Sequence, residues 1–274
     1  MNTIRFWLKN ARSTSLPQSL LPAVLAVCMA SSAAGFSLWL GLCALLGVVL
    51  AHLSLNLFDD YFDYKVKVAE FRDNLARKGM RARISKCAYI SSGQATLKQL
   101  LAACLTFGGI ALCLGLVIFL HRGNTVFWIA AIAAVLGISY SGAPLRLSYH
   151  GLGEVVIGIM FGPLAMAGVY YSACGQLDGQ LLLISIPVGL LVANIVYTHS
   201  IMDYEPDKEV GKMTFAVLLH SKARMLLALL LLLTAAYMCI IVGVIASYLS
   251  GYYLLALLTL PQNNRPPPLP ADQT

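Results

Sequence analysis

The chain has 274 residues, 59% of them hydrophobic and 11% charged, with mean hydropathy +0.76 and formal net charge +7. A water-soluble globule carries about 25% charged residues, so a soluble domain is excluded and an integral membrane protein is implied. The basic balance does not signal nucleic acid, because no segment outside the apolar runs is long enough to form a basic domain.

Six stretches contain no Lys, Arg, Asp or Glu: residues 13–58, 99–121, 123–145, 155–177, 179–202 and 225–264. A spanning helix needs about 20 mainly apolar residues. The first and last stretches each hold two spans and the others one, which predicts an all-α bundle of eight transmembrane helices. They form a single domain over residues 1–261, followed by a Pro-rich polar tail, 262–274, expected to be disordered.

Taken in order, residues 1–12 read as an interfacial helix, with Trp7 at headgroup level and Lys9 and Arg12 beside lipid phosphates. This basic start superficially looks like a signal peptide, but its apolar run continues to Phe58, which predicts a retained helix. Pro17 and Pro22 punctuate entry to span 1, and span 2 ends in Asn56–Asp63. The loop 64–98 holds nine Lys and Arg residues, and Ser91–Gln94 forms the turn into span 3. Spans 3 and 4 read as scaffold. Between spans 4 and 5, Gly142 and Pro144 mark a turn, and Glu154 opens span 5, where a carboxylate complements a helix N-terminus. Span 6 delivers Asp203–Glu209, followed by Gly211-Lys212-Met213-Thr214. Spans 7 and 8 read as lipid-facing or scaffold helices. Seven cysteines show no CxxC and no metal spacing, so disulfides are not expected.

With the N-terminus inside, 18 of the 19 Lys and Arg residues fall on one side, and only Arg122 on the other. This positive-inside bias puts both acidic windows on the cytoplasmic face of the membrane.

Those windows carry the chemistry. Seven of the twelve acidic residues lie in them: Asp59, Asp60, Asp63, Asp203, Glu205, Asp207 and Glu209. Residues three and four apart share a helix face, so Asn56, Asp60 and Asp63 line up, Asp59 joins Asp63, and Asp203 pairs with Asp207. Paired carboxylates are hard oxygen ligands, and Mg²⁺ favours a few of them completed by phosphate oxygens and water. A diphosphate bridged by that ion is a good leaving group. Lys212, Arg146 and Lys78 are candidate diphosphate contacts. A solvated helix end would explain one such cluster, but two clusters on the same side point to a ligand. A transporter would bury its carboxylates nearer the midplane.

These motifs resemble the UbiA superfamily of intramembrane prenyltransferases, and within it the MenA-like branch of 1,4-dihydroxy-2-naphthoate polyprenyltransferases. The resemblance runs from Trp7 to about Pro261. It is carried by Trp7-Leu-x-x-Ala-Arg12-x-x-Ser-Leu-Pro17, Asn56-x-x-x-Asp60-Tyr-x-Asp63 and Ile90-Ser-Ser-Gly93. It continues in Tyr140-Ser-Gly-x-Pro144-Leu-x-Leu-x-Tyr149-x-Gly-Leu-Gly-Glu154, Phe161-Gly-Pro163-Leu and Asp203-x-x-x-Asp207-x-x-x-Gly211-Lys212-x-Thr214. It implies a bundle, usually of nine helices, whose Asp motifs hold Mg²⁺ and a polyprenyl diphosphate that ionises to an allylic cation. A small aromatic acceptor then attacks. In this chain Asp60, Asp63, Asp203 and Asp207 match the motif positions and are the implied catalytic and metal-binding residues, and Asp59 joins them as a further candidate metal ligand. Asn56, Lys78, Tyr140, Arg146, Tyr149, His199 and Lys212 are the candidate substrate contacts, and Tyr61 is a further aromatic near the site. The implied acceptor is 1,4-dihydroxy-2-naphthoate, in menaquinone synthesis at a bacterial inner membrane. Another aromatic acceptor, or a non-catalytic or transport protein of the same fold, is the alternative.

The chain departs from the family pattern at several points. Asp59 stands where the family favours Asn, and Ala69 where a further acid is expected. His199-Ser200-Ile-Met202-Asp203 replaces the usual Asn-Asn-x-Arg-Asp, and His150 stands where Arg is common. The ninth helix is replaced by the Pro-rich tail.

Overall fold

The computed structural model describes residues 3–65 and 87–263. Among these residues the chain is helical, and six helices are long and apolar enough to cross a membrane. A short N-terminal helix, α1 (Thr3–Asn10), leads through a turn into α2 (Pro17–Ala30), whose Pro17 sits in the first turn where no backbone N–H is needed. Then follow α3 (Leu38–Lys65), a one-turn helix α4 (Ala88–Ser91), α5 (Leu97–Arg122) and α6 (Asn124–Ser141). The second half contains α7 (Gly153–Cys174), α8 (Gly179–Met202), the short α9 (Tyr204–Glu209) and α10 (Phe215–Leu219), and α11 (Lys222–Ile245). The expected turn at Ser91–Gln94 is present, and α5 then starts at Thr96 with a reciprocal cap to Gln99.

The span boundaries match the charge-free stretches closely, with two differences. Pro17–Ala30 is a short apolar helix of 14 residues. The last stretch holds one full helix, α11, and then a 3-10 run, Gly251–Asn263, in place of an eighth α-helix. The chain leaves α11 through Ser247, which has a positive φ of 62°. Thirteen 3-10 residues reach only about 26 Å at about 2.0 Å each, short of the roughly 30 Å hydrocarbon core. The expected tail lies outside the described residues from 264 onward, as does Lys78.

α3 packs most extensively on α5, and α8 on α11. One core cluster joins α2, α3, α7 and α8 around Met166, Val169 and Leu181. A second joins α1, α3, α4 and α5 around Leu53, Leu57 and Leu100. Trp7 therefore does more than touch lipid: its ring meets Tyr89 edge-on at 6.1 Å.

The crossing of α7 over α8 depends on missing side chains. A Cβ on Gly162 would fall 2.5 Å from the Cα of Gly189, and one on Gly189 would fall 2.6 Å from the Gly158 carbonyl. Helices in lipid gain little from apolar burial against each other, so small residues that allow close backbone approach dominate such contacts. Within α7 a π turn occupies Met160–Leu164 around Pro163. Proline lacks the N–H of the regular ladder, and π turns of this kind often mark functional positions. Here it sets Phe161 against the His52 ring at 4.7 Å.

Because successive long helices alternate in direction, the C-terminal ends of α3, α6 and α8 share one end of the bundle. That end collects both acidic windows and the Tyr140–Glu154 segment.

Candidate active site

The first acidic window is the last two turns of α3, where helical spacing stacks Asn56, Asp60 and Asp63. Asp60 and Asp63 are almost fully buried, at 2% and 1% exposure. A buried carboxylate must be paired or hydrogen-bonded, and each of these is. Arg12, in the turn between α1 and α2, donates to Asp60 Oδ1 at 3.1 Å, Asp59 Oδ2 at 3.2 Å and the Asn56 carbonyl at 2.6 Å. Tyr89 of α4 donates to Asp60 Oδ2 at 3.1 Å. Asn56 donates back to the Ala11 carbonyl at 2.9 Å and to Ser15 Oγ at 3.2 Å. The N-terminal segment thus straps the first motif.

Arg12 holds this place from a left-handed backbone conformation, φ 56°. Desolvation works against its charge, but attraction to Asp60 and Asp59 outweighs it and holds the guanidinium protonated above the ordinary arginine value. Burial, with the Asp60 carboxylate second, likewise pushes the Tyr89 hydroxyl well above the usual tyrosine value, so it stays a donor.

The Tyr140–Glu154 segment closes the site from the other side. Ser141 donates to Asp59 Oδ1, and Tyr149 donates to Asp63 Oδ1 at 2.6 Å. Tyr149 also presents its ring to two cations, with Lys212 Nζ 5.0 Å and the Arg146 guanidinium 5.9 Å from its centroid. Tyr140 ends α6 beside the start of α7, where a Cβ on Gly153 would lie 3.4 Å from its ring.

The second window is the junction of α8 and α9. Asp203, Asp207, Lys212 and Thr214 are all buried. The Asp203 N–H bonds the His199 carbonyl at 3.0 Å, Asp207 N–H the Asp203 carbonyl at 2.9 Å, and Lys212 N–H the Asp207 carbonyl at 2.8 Å. The short α9 folds the two Asp and the Lys into one compact turn. Lys212 over Tyr149, with Tyr149 bonded to Asp63, links the two windows. Among the described residues, no three His, Cys, Asp or Glu side chains come together closely enough to hold a metal ion by themselves.

The structure therefore brings Asn56, Asp59, Asp60, Asp63, Arg146, Tyr149, Asp203, Asp207 and Lys212 to one end, with Tyr140 and His199 at its edges. Sequence reasoning passed over four partners. Arg12 read as a lipid anchor, because a basic residue beside Trp7 carries that signal equally well. Ser15 and Ser141 stand in the quoted motifs without an assigned role, and Tyr89 carries no signal; only the folded chain sets Tyr89 and Ser141 against the acids and Ser15 against Asn56.

Fold and site together define a polytopic membrane protein with buried carboxylate motifs at one end of a helical bundle. The UbiA prenyltransferase family matches residues 19–262, and the chain belongs to that family of prenyl-transferring enzymes. It is 28% identical over 259 residues to the 1,4-dihydroxy-2-naphthoate octaprenyltransferase of Bacillus subtilis, covering 92% of this chain and 77% of that one. It is 35% identical over 137 residues to the 2-carboxy-1,4-naphthoquinone phytyltransferase of Synechocystis, covering 50% and 44% respectively. The fold is shared with a UbiA homologue from Archaeoglobus fulgidus bound to GPP and Mg²⁺, at TM-score 0.69 and 15% identity, over 97% of this chain and 91% of that one.

Proposed function

We propose that this enzyme transfers a polyprenyl group from its diphosphate to 1,4-dihydroxy-2-naphthoate, with Mg²⁺, at the cytoplasmic face of a bacterial inner membrane. The observation that carries the reading is the burial of four carboxylates, Asp60, Asp63, Asp203 and Asp207, at one end of a lipid-embedded bundle. Carboxylates cost several kcal/mol to remove from water, and a structural role alone would be met by neutral residues. The match over 92% of this chain to a relative named as a 1,4-dihydroxy-2-naphthoate octaprenyltransferase supports the acceptor.

The donor set suits Mg²⁺. It offers only hard oxygens, and too few in one place for an all-protein cage, which is the situation in which Mg²⁺ relies on substrate phosphates. Asp60, Asp63, Asp203 and Asp207 would hold the ion, with Asp59 at its side. When bound, the ion stabilises charge on the departing diphosphate.

The chain's own residues do the rest. Lys212 and Arg146 each approach the Tyr149 ring, at 5.0 and 5.9 Å from its centroid, and two positive charges there would suit a diphosphate. Lys78 would extend that grip from the basic loop. Tyr149 keeps Asp63 oriented through its hydroxyl. Arg12 and Tyr89 hold the two oxygens of Asp60 in place. His199 and Tyr140 are the residues proposed to meet the acceptor.

The test is turnover of purified enzyme with geranylgeranyl diphosphate and the naphthoate, with and without Mg²⁺. Asp60→Asn and Asp203→Asn should each reduce kcat by about 100-fold or more, roughly 2.7 kcal/mol. Full Mg²⁺-dependent activity in either variant would overturn the assignment. Diphosphate binding without turnover on any aromatic acceptor would mark a non-catalytic relative.

A further inference from the structure

The polar stripe that ends in the first acidic window starts one turn deeper in the bundle than Asn56. His52 precedes Asn56 by one helical turn on the same face of α3, about 12 Å along the axis from Asp60. It lies inside a charge-free run and is only 4% exposed. A buried imidazole is costly unless its ring nitrogens are bonded. Here both are: Nδ1 lies 2.7 Å from Ser19 Oγ, and Nε2 lies 3.3 Å from Ser15 Oγ. Phe161, in the π turn of α7, packs against the ring at 4.7 Å.

Counting hydrogens gives these contacts a direction. A serine hydroxyl has one hydrogen to donate, and a carbonyl oxygen has two lone pairs. The Leu16 carbonyl already accepts the backbone N–H groups of Ser19 at 3.0 Å and Leu20 at 2.8 Å. Ser19 Oγ lies 3.2 Å from that carbonyl, beyond the usual O–H···O range of about 2.5–3.0 Å. The Ser19 hydrogen therefore goes to His52 Nδ1. A neutral ring that accepts at Nδ1 donates at Nε2, so Ser15 Oγ receives the His52 N–H together with the Asn56 amide at 3.2 Å. Both lone pairs of Ser15 Oγ are then filled, and its own hydrogen goes to the Arg12 carbonyl at 2.8 Å.

The end of this relay is what gives it a purpose. The Arg12 carbonyl also accepts the Ser15 N–H at 2.8 Å. It belongs to a residue in the left-handed conformation, φ 56°, which side chains other than glycine adopt uncommonly. From that conformation the guanidinium reaches Asp60 and Asp59. We propose that His52 is a positioning residue for the transfer reaction. It passes one hydrogen-bond direction from Ser19 to Ser15, pins the Arg12 turn and the Asn56 amide, and so keeps the guanidinium on Asp60. A histidine that only filled space between α2, α3 and α7 would not need its Nε2 to donate. The role rests on the transferase reading above, yet the relay itself is measured without turnover.

That measurement is nitrogen NMR of the full chain in phosphatidylcholine nanodiscs, labelled at its five histidines, with the His52 signals assigned by their loss in His52→Gln. A neutral imidazole protonated at Nε2 is expected. Protonation at Nδ1, or at both nitrogens, would overturn the relay. In turnover, two amide variants separate its halves. Glutamine brings a donating nitrogen to the Nε2 position and should keep kcat within threefold of wild type. Asparagine reaches only toward Ser19, and His52→Asn should lower kcat about tenfold. In an Arg12→Ala background the same His52→Asn change should cost less than about twofold, because it acts through a group already removed. Equal kcat in the two amide variants, a better asparagine than glutamine, or a full tenfold loss in the Arg12→Ala background would each overturn the positioning role. Should neither variant fold, the protonation pattern of the wild-type ring decides. If the naphthoate is not prenylated while His52 is protonated at Nε2, the transferase reading fails and the relay stands.

Discussion

Two arginines hold opposite ends of this bundle, and they do so on different chemistry. Arg12 grips two carboxylates and one carbonyl at the acidic end. Arg122 grips only carbonyls at the other end: Ser172 at 2.9 Å, Ala173 at 2.7 Å and Gly35 at 2.9 Å. At that second end the arginine meets the last carbonyls of α7, where a helix leaves acceptors unsatisfied and favours a cation. The interaction needs no acid, and it ties the α2–α3 turn to α7. At the first end the cation answers acids that the fold would be more stable without. A helix terminus explains Arg122 completely, whereas Arg12 makes sense only if the carboxylates it steadies are there for another purpose.

The sharpest way to break this contrast is to remove each arginine in turn. Arg12→Ala should lower kcat on the order of 100-fold, about 2.7 kcal/mol, since Asp60 loses its cation and Asn56 loses the strap that holds it. Activity within threefold of wild type would reduce the acidic end to structure. Arg122→Ala should do the reverse. Each hydrogen bond from a charged donor contributes about 1.5–3 kcal/mol when buried. Arg122 lies partly exposed, so a total loss of about 2 kcal/mol is expected, read as a lower melting temperature in detergent. Turnover per folded molecule should not move. A matched fall in activity would mean that the two ends are coupled.

Tyr149→Phe sharpens the contrast within the acidic end. It keeps the ring beneath Lys212 and Arg146 but removes the bond to Asp63. A loss of about tenfold in kcat, about 1.4 kcal/mol, with unchanged KM for the diphosphate, would assign the hydroxyl to orienting Asp63. A raised KM instead would give the ring the larger part.

Much of this organisation is legible in the chain itself. Charge-free runs locate the helices because lipid tolerates few ionisable groups, and the spacing of Asn56, Asp60 and Asp63 on α3 follows directly from helical geometry. The end of the bundle is harder to read. An apolar run through residue 264 has the composition of two spans, and hydropathy alone does not register that Ser247 turns the chain and that the rest winds as a 3-10 helix. Partners across the site are invisible for a different reason. Tyr89 and Ser141 reach the acids from 29 and 82 residues away, and neither type is unusual at a membrane surface. Glu154 is legible only as a helix-start acid, because the serine that bonds it, Ser200 of α8, lies 46 residues further along the chain.

The smallest effect expected concerns Tyr89, and it tests whether Asp60 needs both of its donors. Arg12 and Tyr89 bond different oxygens of the same carboxylate, so Tyr89→Phe leaves the ion pair intact while freeing Oδ2. The ring itself should stay, because Phe6 and Trp7 both meet it edge-on, at 6.0 and 6.1 Å. Loss of one hydrogen bond to a carboxylate with its cation still present should cost about 1 kcal/mol, a few-fold fall in kcat. The Arg12→Ala/Tyr89→Phe pair should then be non-additive, since residues sharing one partner couple. Strict additivity in this double-mutant cycle would show that the two donors act on Asp60 independently, and that the strap from α1 and the brace from α4 are separate devices.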